Sequence, residues 1–205
     1  MIEKPIPNIV VGRLPVYLRA LQRMAQEGRR VTSSQELGER LGISAAQIRK
    51  DLSQFGEFGK QGTGYNIDFL SNQLQTILKV NRIWDVAIIG AGDIGSGLAR
   101  YQGLNERGFQ VQMVFDADPA KIGTQVGEFV VRDSAGLVDD IRKADIKIVM
   151  VSVPAAAAQD VADLLVEAGV RAILNYAPTS LNVPDGVRVQ HIDPVTHLQH
   201  MTYYL

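Results

Sequence analysis

The apolar run Val86-Ala87-Ile88-Ile89 ends directly in Gly90-Ala91-Gly92-Asp93-Ile94-Gly95, and a helical pattern through Leu98 and Ala99 follows. A strand that turns through glycines into a helix belongs to a layered α/β fold, where the helix packs back on a sheet. The glycines permit a tight turn and close approach of a pyrophosphate, whose charge suits the helix N-terminus. The glycine pattern alone is a weak signal; its place between strand and helix strengthens it. The next strand, Val111 to Phe115, ends at Asp116, 21 residues past Gly95. A carboxylate there can accept from ribose hydroxyls and repel a 2′-phosphate. No nearby Arg offers itself for such a phosphate, so the residues favour NAD(H) over NADP(H). The competing reading is that Gly90 to Gly95 only packs a helix on a sheet. Asp93 puts a negative charge inside the loop, where it either faces solvent or weakens the ligand.

The alternation continues. Lys147 to Val153 reads as a strand, followed by Pro154 and an Ala-rich helix to Ala168; Ala172 to Asn175 and Val187 to Ile192 are further strands. The expected class is α/β, with a Rossmann-type doubly wound, mostly parallel sheet. The chain ends in a helical stretch, Pro194 to Leu205, with an apolar stripe of Leu198, Met201, Tyr204 and Leu205. A partner subunit or the chain itself could cover that stripe. His191, His197 and His200 lie near this end, but without cysteine or an evident third ligand they read as surface or interface residues, and no metal is expected.

The net charge of −1 over 205 residues hides a division. Residues 1–84 hold 12 Lys and Arg against 7 Asp and Glu, a net +5; residues 85–205 hold 9 against 15, a net −6. A basic third joined to an acidic remainder suggests domains with different partners, and a basic surface suits phosphates. The absence of cysteine removes disulfides and thiolate chemistry. No stretch reaches the ~18 apolar residues of a membrane span. Met1 to Arg13 lack an apolar signal region, so a cytoplasmic location with no membrane partner is expected.

In the basic third, Leu14, Leu18, Leu21 and Ala25 recur at helical spacing, with Pro15 in the first turn. Ser33 with Glu36 and Ser44 with Gln47 read as capping boxes of two short helices separated at Gly42. Leu37 and Leu41 share a face of the first; Ala45, Ile48 and Leu52 face inward on the second. Ala46, Lys50, Ser53 and Gln54 face outward there, flanked by Gln47 and Arg49. Such a face is either an ordinary solvated one or a set of donors for base edges and phosphates. Phe55 to Tyr65 follows, aromatic at both ends and glycine-rich between, and reads as a β-hairpin with Gly59 to Gly62 at its tip. A hairpin directly after a recognition helix is a wing, which favours the DNA reading. The expected DNA-binding residues are Ser33, Ser44, Ala46, Gln47, Arg49, Lys50, Ser53, Lys60 and Gly62. Asp68 then opens a linking helix through Leu70, Leu74, Ile77 and Leu78, expected to end near Asn81 to Trp84.

The expected division is a winged helix-turn-helix domain with linker helix over 1–84, a Rossmann NAD(H)-binding domain over 85–192, and a dimerisation helix over 193–205. After Val86 there is barely chain for a nucleotide fold and a terminal helix, leaving no substrate domain for a dehydrogenase. A sensor-repressor is therefore favoured over an NAD-dependent enzyme. A third reading keeps the DNA domain with another nucleotide such as coenzyme A. Asp116 discriminates, since a ribose diol contact suits NAD and not a 3′-phosphorylated adenosine.

These motifs resemble the Rex family of redox-sensing repressors. The resemblance is carried by Thr32-Ser33-Ser34, Gln47 to Ser53, Phe55 to Gly59 and Gly62 to Tyr65. In the second half it is carried by the Gly90 to Gly95 loop, Tyr101, Phe115 to Pro119, Leu174 to Pro178 and Asp193. It implies a homodimer with swapped C-terminal helices, an inverted-repeat operator in double-stranded DNA, and release by NADH. The chain would respond to the NADH/NAD+ ratio, with NAD(H) as ligand and not reactant. The cofactor set it implies is Gly90, Ala91, Gly92, Asp93, Ile94, Gly95, Tyr101, Asp116, Val153, Pro154, Asn175, Ala177, Pro178 and Asp193. Asp93 and Pro194 depart from the family pattern. Arg19, Tyr101 and Asp193 occupy switch positions at which Asp193 would exchange partners; alternatively Asp193 only caps the terminal helix.

Overall fold

A computed structural model describes residues 6–59 and 64–205. The expectations for Lys60 and Gly62 lie outside the described residues. The chain divides into two compact units, with the boundary between Arg82 and Ile83.

The first unit opens with α1 (Asn8–Gln26), then β1 (Val31–Thr32), α2 (Ser34–Leu41), α3 (Ala45–Leu52), β2 (Tyr65–Asn66) and α4 (Ile67–Ile77). Leu14, Tyr17, Leu21 and Met24 of α1 meet Leu37, Ile48, Leu52, Ile67, Leu70 and Leu74 in one buried core. The serine caps form as expected: Ser33 Oγ accepts from Glu36 N–H at 3.1 Å and Ser44 Oγ from Gln47 N–H at 3.2 Å. Their reciprocal halves do not form. The Glu36 carboxylate takes Thr32 Oγ1 at 3.0 Å and Arg29 at 2.7 Å, and the Gln47 amide turns to Asp51 at 2.6 Å. In each case a stronger or closer donor-acceptor partner draws the side chain from the cap.

The tip of the expected hairpin lies outside the described residues, and only its flanks can be followed. Residues 56–58 form no strand, and β2 pairs antiparallel with β1, Val31 opposite Asn66 and Thr32 opposite Tyr65. Phe58 is buried in the helical core, with Phe55 and Tyr65 packed against that core, so the aromatics anchor both ends of this segment through burial. The linking helix is also shorter than expected. It stops at Ile77, Lys79 turns left-handed at φ 57°, and Trp84 already begins a strand.

The second unit contains β3 (Trp84–Ile89), α5 (Asp93–Ala99), β4 (Phe109–Asp116), β5 (Gln125–Val126), β6 (Phe129–Val130), β7 (Arg132–Asp133), α6 (Leu137–Lys143), β8 (Ile148–Val151), α7 (Ala155–Glu167), β9 (Ala172–Asn175), β10 (Arg188–His191) and α8 (Pro194–Thr202). Six strands run in the order β10-β9-β8-β3-β4-β7, every neighbouring pair parallel. The chain thus reverses its direction of winding between β3 and β8, the switch point of a doubly wound sheet. Period-2 alternation divides β3 between two cores. Ala87 and Ile89 join Leu137, Ile141, Ala162 and Leu165 on one face; Val86 and Ile88 join Val114 and Met150 on the other. β8 and β10 are shorter than the strands expected over Lys147 to Val153 and Val187 to Ile192. α8 has no buried residue, and Leu198, Met201, Tyr204 and Leu205 are all exposed.

Candidate functional sites: a cleft at the switch point and the outer face of α3

An open cleft of about 760 Å³ lies at the carboxyl ends of β3, β4 and β8. Its floor is the loop after β3. Gly90 has φ 98°, and a Cβ there would meet Ser152 O at 2.5 Å. A Cβ on Gly95 would overlap the Gly90 carbonyl oxygen, so only glycine lets α5 start this close to the strand. Nothing lies within 4 Å of a Cβ built on Gly92, which leaves that backbone open toward the cleft. Ser152 Oγ donates to Ile89 O at 3.1 Å and Gly90 O at 2.9 Å, tying the loop to the end of β8.

Asp116 closes the other side. It is 9% exposed, and its carboxylate accepts from Ala91 N–H at 2.7 Å, Asp118 N–H at 2.9 Å and Lys121 Nζ at 3.2 Å. Burial alone would raise this carboxyl; the two N–H groups and the Lys121 ammonium outweigh it and hold the group below the ordinary carboxylate range. Asp93 is exposed at the start of α5 and lines the cleft with Ile94, Val153 and Pro154.

Other expected residues fall elsewhere. Asn175 is fully buried and occupied: its amide donates to Thr179 O at 2.8 Å and contacts His191 Nδ1 at 3.1 Å, while Oδ1 accepts from Ala177 N–H at 3.0 Å. It shapes the loop after β9, and that loop presents Tyr176 and Pro178 to the cleft in place of Asn175 and Ala177. Tyr101 lines a separate cavity of about 570 Å³ with Arg100 and Phe129, and its hydroxyl accepts from Arg107 at 3.2 Å. Asp193 caps α8, accepting from Val195 N–H at 2.9 Å and Thr196 Oγ1 at 2.7 Å; the Thr196 bond first, then the backbone bond, depress its carboxyl. Arg19 belongs to the first unit, beside Val16, Arg23 and Arg40. Lys121, Ser134, Ser152 and Tyr176 line the cleft without having been anticipated. Among the described residues no cluster of three metal-ligating side chains occurs.

In the first unit Ala46, Lys50, Ser53 and Gln54 are exposed along α3 and its end, with Arg49 exposed and donating to Ser34 Oγ at 2.9 Å. Ser33 and Ser44 are exposed at their caps. Gln47 is half-buried, its amide held by Asp51. Asp51 itself escaped sequence reading. It is fully buried, bound by Arg13 through two nitrogens at 2.5 and 2.7 Å, by Tyr17 Oη at 2.6 Å and by Gln47. The signal for it is Arg13 and Tyr17 at i,i+4 on α1, one turn apart on a face that packs inward. This lock fixes the pose of α3 on α1.

Comparison with known proteins covers both units. Residues 5–53 match the family model described as "Putative DNA-binding protein N-terminus", and residues 81–179 match the one described as "CoA binding domain". The chain is 51% identical to the redox-sensing transcriptional repressor Rex of Chloroflexus aggregans, over 97% of this chain and 94% of the relative. It is 51% identical to that of Roseiflexus sp. (strain RS-1), over 99% and 92%. Among solved structures, RSP in complex with β-NAD+ and operator DNA superposes with a TM-score of 0.93 at 36% identity, covering 98% of this chain and 93% of that one. RSP in complex with β-NADH superposes at 0.89 and 34% identity, covering 98% and 94%. The chain therefore belongs to the Rex family of redox-sensing transcriptional repressors.

Proposed function

We propose that this chain represses transcription in the cytoplasm as a homodimer. It grips an inverted-repeat operator with α3 and lets go when NADH fills the cleft at the switch point. The observation that carries the reading is the pairing of two features in one chain. One is a locked helix with Lys50, Ser53 and Gln54 outward; the other is a cleft with Gly92 open at one end and the Asp116 carboxylate at the other. Pyrophosphate would sit over Gly92 and Gly95, and the adenosine ribose at Asp116. Ser33, Ser44, Ala46, Gln47, Arg49, Lys50 and Ser53 are the DNA contacts, with Lys60 and Gly62 following the helix. Val153, Pro154, Tyr176 and Pro178 would wall the dinucleotide, with Asn175 and Ala177 shaping that wall.

The two nicotinamide states differ in charge, and a ligand moves an equilibrium only by unequal affinity for its states. Tyr101, Asp193 and Arg19 of the two subunits are the groups that would sense this difference. The bare apolar stripe of α8 supports a swapped, intersubunit helix over one covered by its own chain. Rotation of the paired DNA domains would then spoil half-site spacing.

The match of residues 81–179 to a CoA-binding model favours a second ligand class. Asp116 argues for the dinucleotide, since a carboxylate suits a ribose diol and not a 3′-phosphate. The deciding experiment enriches an operator from genomic fragments with the full chain and titrates the complex with NAD+, NADH and coenzyme A in parallel. Release by NADH at a concentration where NAD+ and coenzyme A leave the complex intact is expected. Equal release by NADH and NAD+ overturns the redox reading; release by coenzyme A alone overturns the ligand.

A further inference from the structure

The Asp116 carboxylate is not free to take a ribose diol alone. An ionised carboxylate offers about four acceptor positions. Three are taken by Ala91 N–H, Asp118 N–H and Lys121 Nζ. One acceptor position remains, on a residue that lines the cleft. Lys121 lines the same cleft, its side chain is 41% exposed, and its ammonium spends one of three donors on Asp116. We infer that Lys121 is a second, specificity-determining nucleotide contact, and that it and Asp116 recognise the adenosine ribose as a donor-acceptor pair. A ribose hydroxyl both donates and accepts: its hydrogen goes to Asp116 while its oxygen receives Lys121. The arrangement holds Lys121 in reach because Lys121 N–H closes a turn onto Asp118 O at 2.9 Å, the residue whose own N–H binds Asp116.

The inference rests on the dinucleotide reading and changes what Asp116 does in it. A lone carboxylate repels a 2′-phosphate; a carboxylate 3.2 Å from an ammonium presents a nearly neutral pair. Selectivity for NADH over NADPH is then modest in this chain and is set by the balance of two side chains. Removing Lys121 strips the cation, leaves Asp116 held by its two backbone bonds, and restores the repulsion.

Binding of NADH and of NADPH to the full chain, followed by calorimetry in wild type, Lys121→Met and Lys121→Arg, tests this. NADH should weaken roughly fivefold in Lys121→Met, the scale of one hydrogen bond. NADPH should weaken more, so that the ratio of the two affinities widens about tenfold. Lys121→Arg should keep the wild-type ratio within about twofold, because the charge stays. A ratio unchanged in Lys121→Met, with NADH still bound by wild type, overturns the role of Lys121 and leaves the dinucleotide reading standing. Wild type that binds neither dinucleotide overturns both. Near-ultraviolet and far-ultraviolet circular dichroism of each variant separates loss of contact from loss of fold, and Lys121→Gln, which removes the charge but keeps a donor, must widen the ratio as Lys121→Met does.

Discussion

Asp51 and Asp116 are both buried carboxylates, and both titrate below the ordinary range, yet they sit in opposite situations. Asp51 is saturated: Arg13, Tyr17 and Gln47 use its oxygens from three directions, and no part of it is exposed. Asp116 is held by two backbone N–H groups and one lysine and keeps one side toward a cleft. Complete satisfaction makes a group part of the scaffold; incomplete satisfaction beside a cavity leaves it an unmet capacity that a ligand can fill. The comparison predicts different penalties for the same substitution. Asp51→Ala leaves a guanidinium and a phenol without their partner and should cost about 3–5 kcal/mol, seen as an early unfolding transition in urea. DNA binding should go with it, while nucleotide binding in the second unit persists. A cost below about 1 kcal/mol would break the contrast.

Asp116→Ala should cost less stability, about 1–2 kcal/mol, because water in the open cleft can take over its two N–H donors. Its larger effect is on the ligand: NADH should weaken at least tenfold, equal to about 1.4 kcal/mol. The modest preference over NADPH should vanish or reverse, since the acid that balanced the Lys121 charge has gone. Affinities for both nucleotides, set beside the urea midpoint, check the pair of outcomes. A variant that loses stability like Asp51→Ala but binds NADH like wild type would exchange the roles assigned to the two acids.

The same cluster makes pH a sharper probe. Burial pushes the Asp51 carboxyl up, but bonds from Arg13, Tyr17 and Gln47 prevail and depress it in the folded chain. The unfolded chain therefore takes up its proton first as pH falls. The stability this group contributes is present above the unfolded pKa of about 3.9 and is lost as pH drops through the lower folded value. Tyr17 runs the other way: burial first, then the bond to Asp51, raise its phenol. Its contribution is present below the unfolded pKa of about 10 and is lost as pH climbs through the higher folded value. Unfolding midpoints across pH should show a plateau with two falling limbs. Tyr17→Phe should abolish the alkaline limb and weaken the acid one, and Asp51→Asn should abolish the acid limb and weaken the alkaline one, because each group contributes to the shift of the other.

Most of this architecture was legible because it rests on local pattern. The apolar run into Gly90 to Gly95, the acid at the end of the next strand, and the serine caps at Ser33 and Ser44 each follow from chemistry between near neighbours, and each appears where it was expected. What stayed hidden depends on partners far apart in sequence. Asp51 looks like one more polar residue of an amphipathic helix until Arg13, 38 residues away, is brought to it. Tyr65 pairs with Thr32, 33 positions earlier in the chain, and no local turn signal points to that partner. Asn175 sits in a recognisable motif, but only the folded loop reveals that its amide is spent on Thr179 and Ala177 and faces away from the cleft. Lys121 carries no signal of its own, because a lysine five residues past an acid is an ordinary turn residue until the fold brings its ammonium to 3.2 Å from Asp116.

Asp193 completes the comparison as a carboxylate with a local job and a proposed distant one. In this chain it caps α8 through Val195 N–H and Thr196 Oγ1, and that is a sufficient reason for an acid before Pro194. The switch reading asks more of it: its charge must meet Arg19 and Tyr101 in the dimer. Asparagine separates the two, because Asn and Asp cap helices almost equally well but Asn cannot form an ion pair. Asp193→Asn should therefore melt as wild type does and bind NADH with little change, the smallest structural effect of any variant considered. If the charge is part of the switch, the NADH concentration that releases operator should move at least threefold, and Arg19→Gln should move it in the same direction without adding to it in the double variant, since both remove one interaction. If Asp193→Asn releases operator at the wild-type NADH concentration, the acid is a cap and nothing more, and the redox signal passes through other groups.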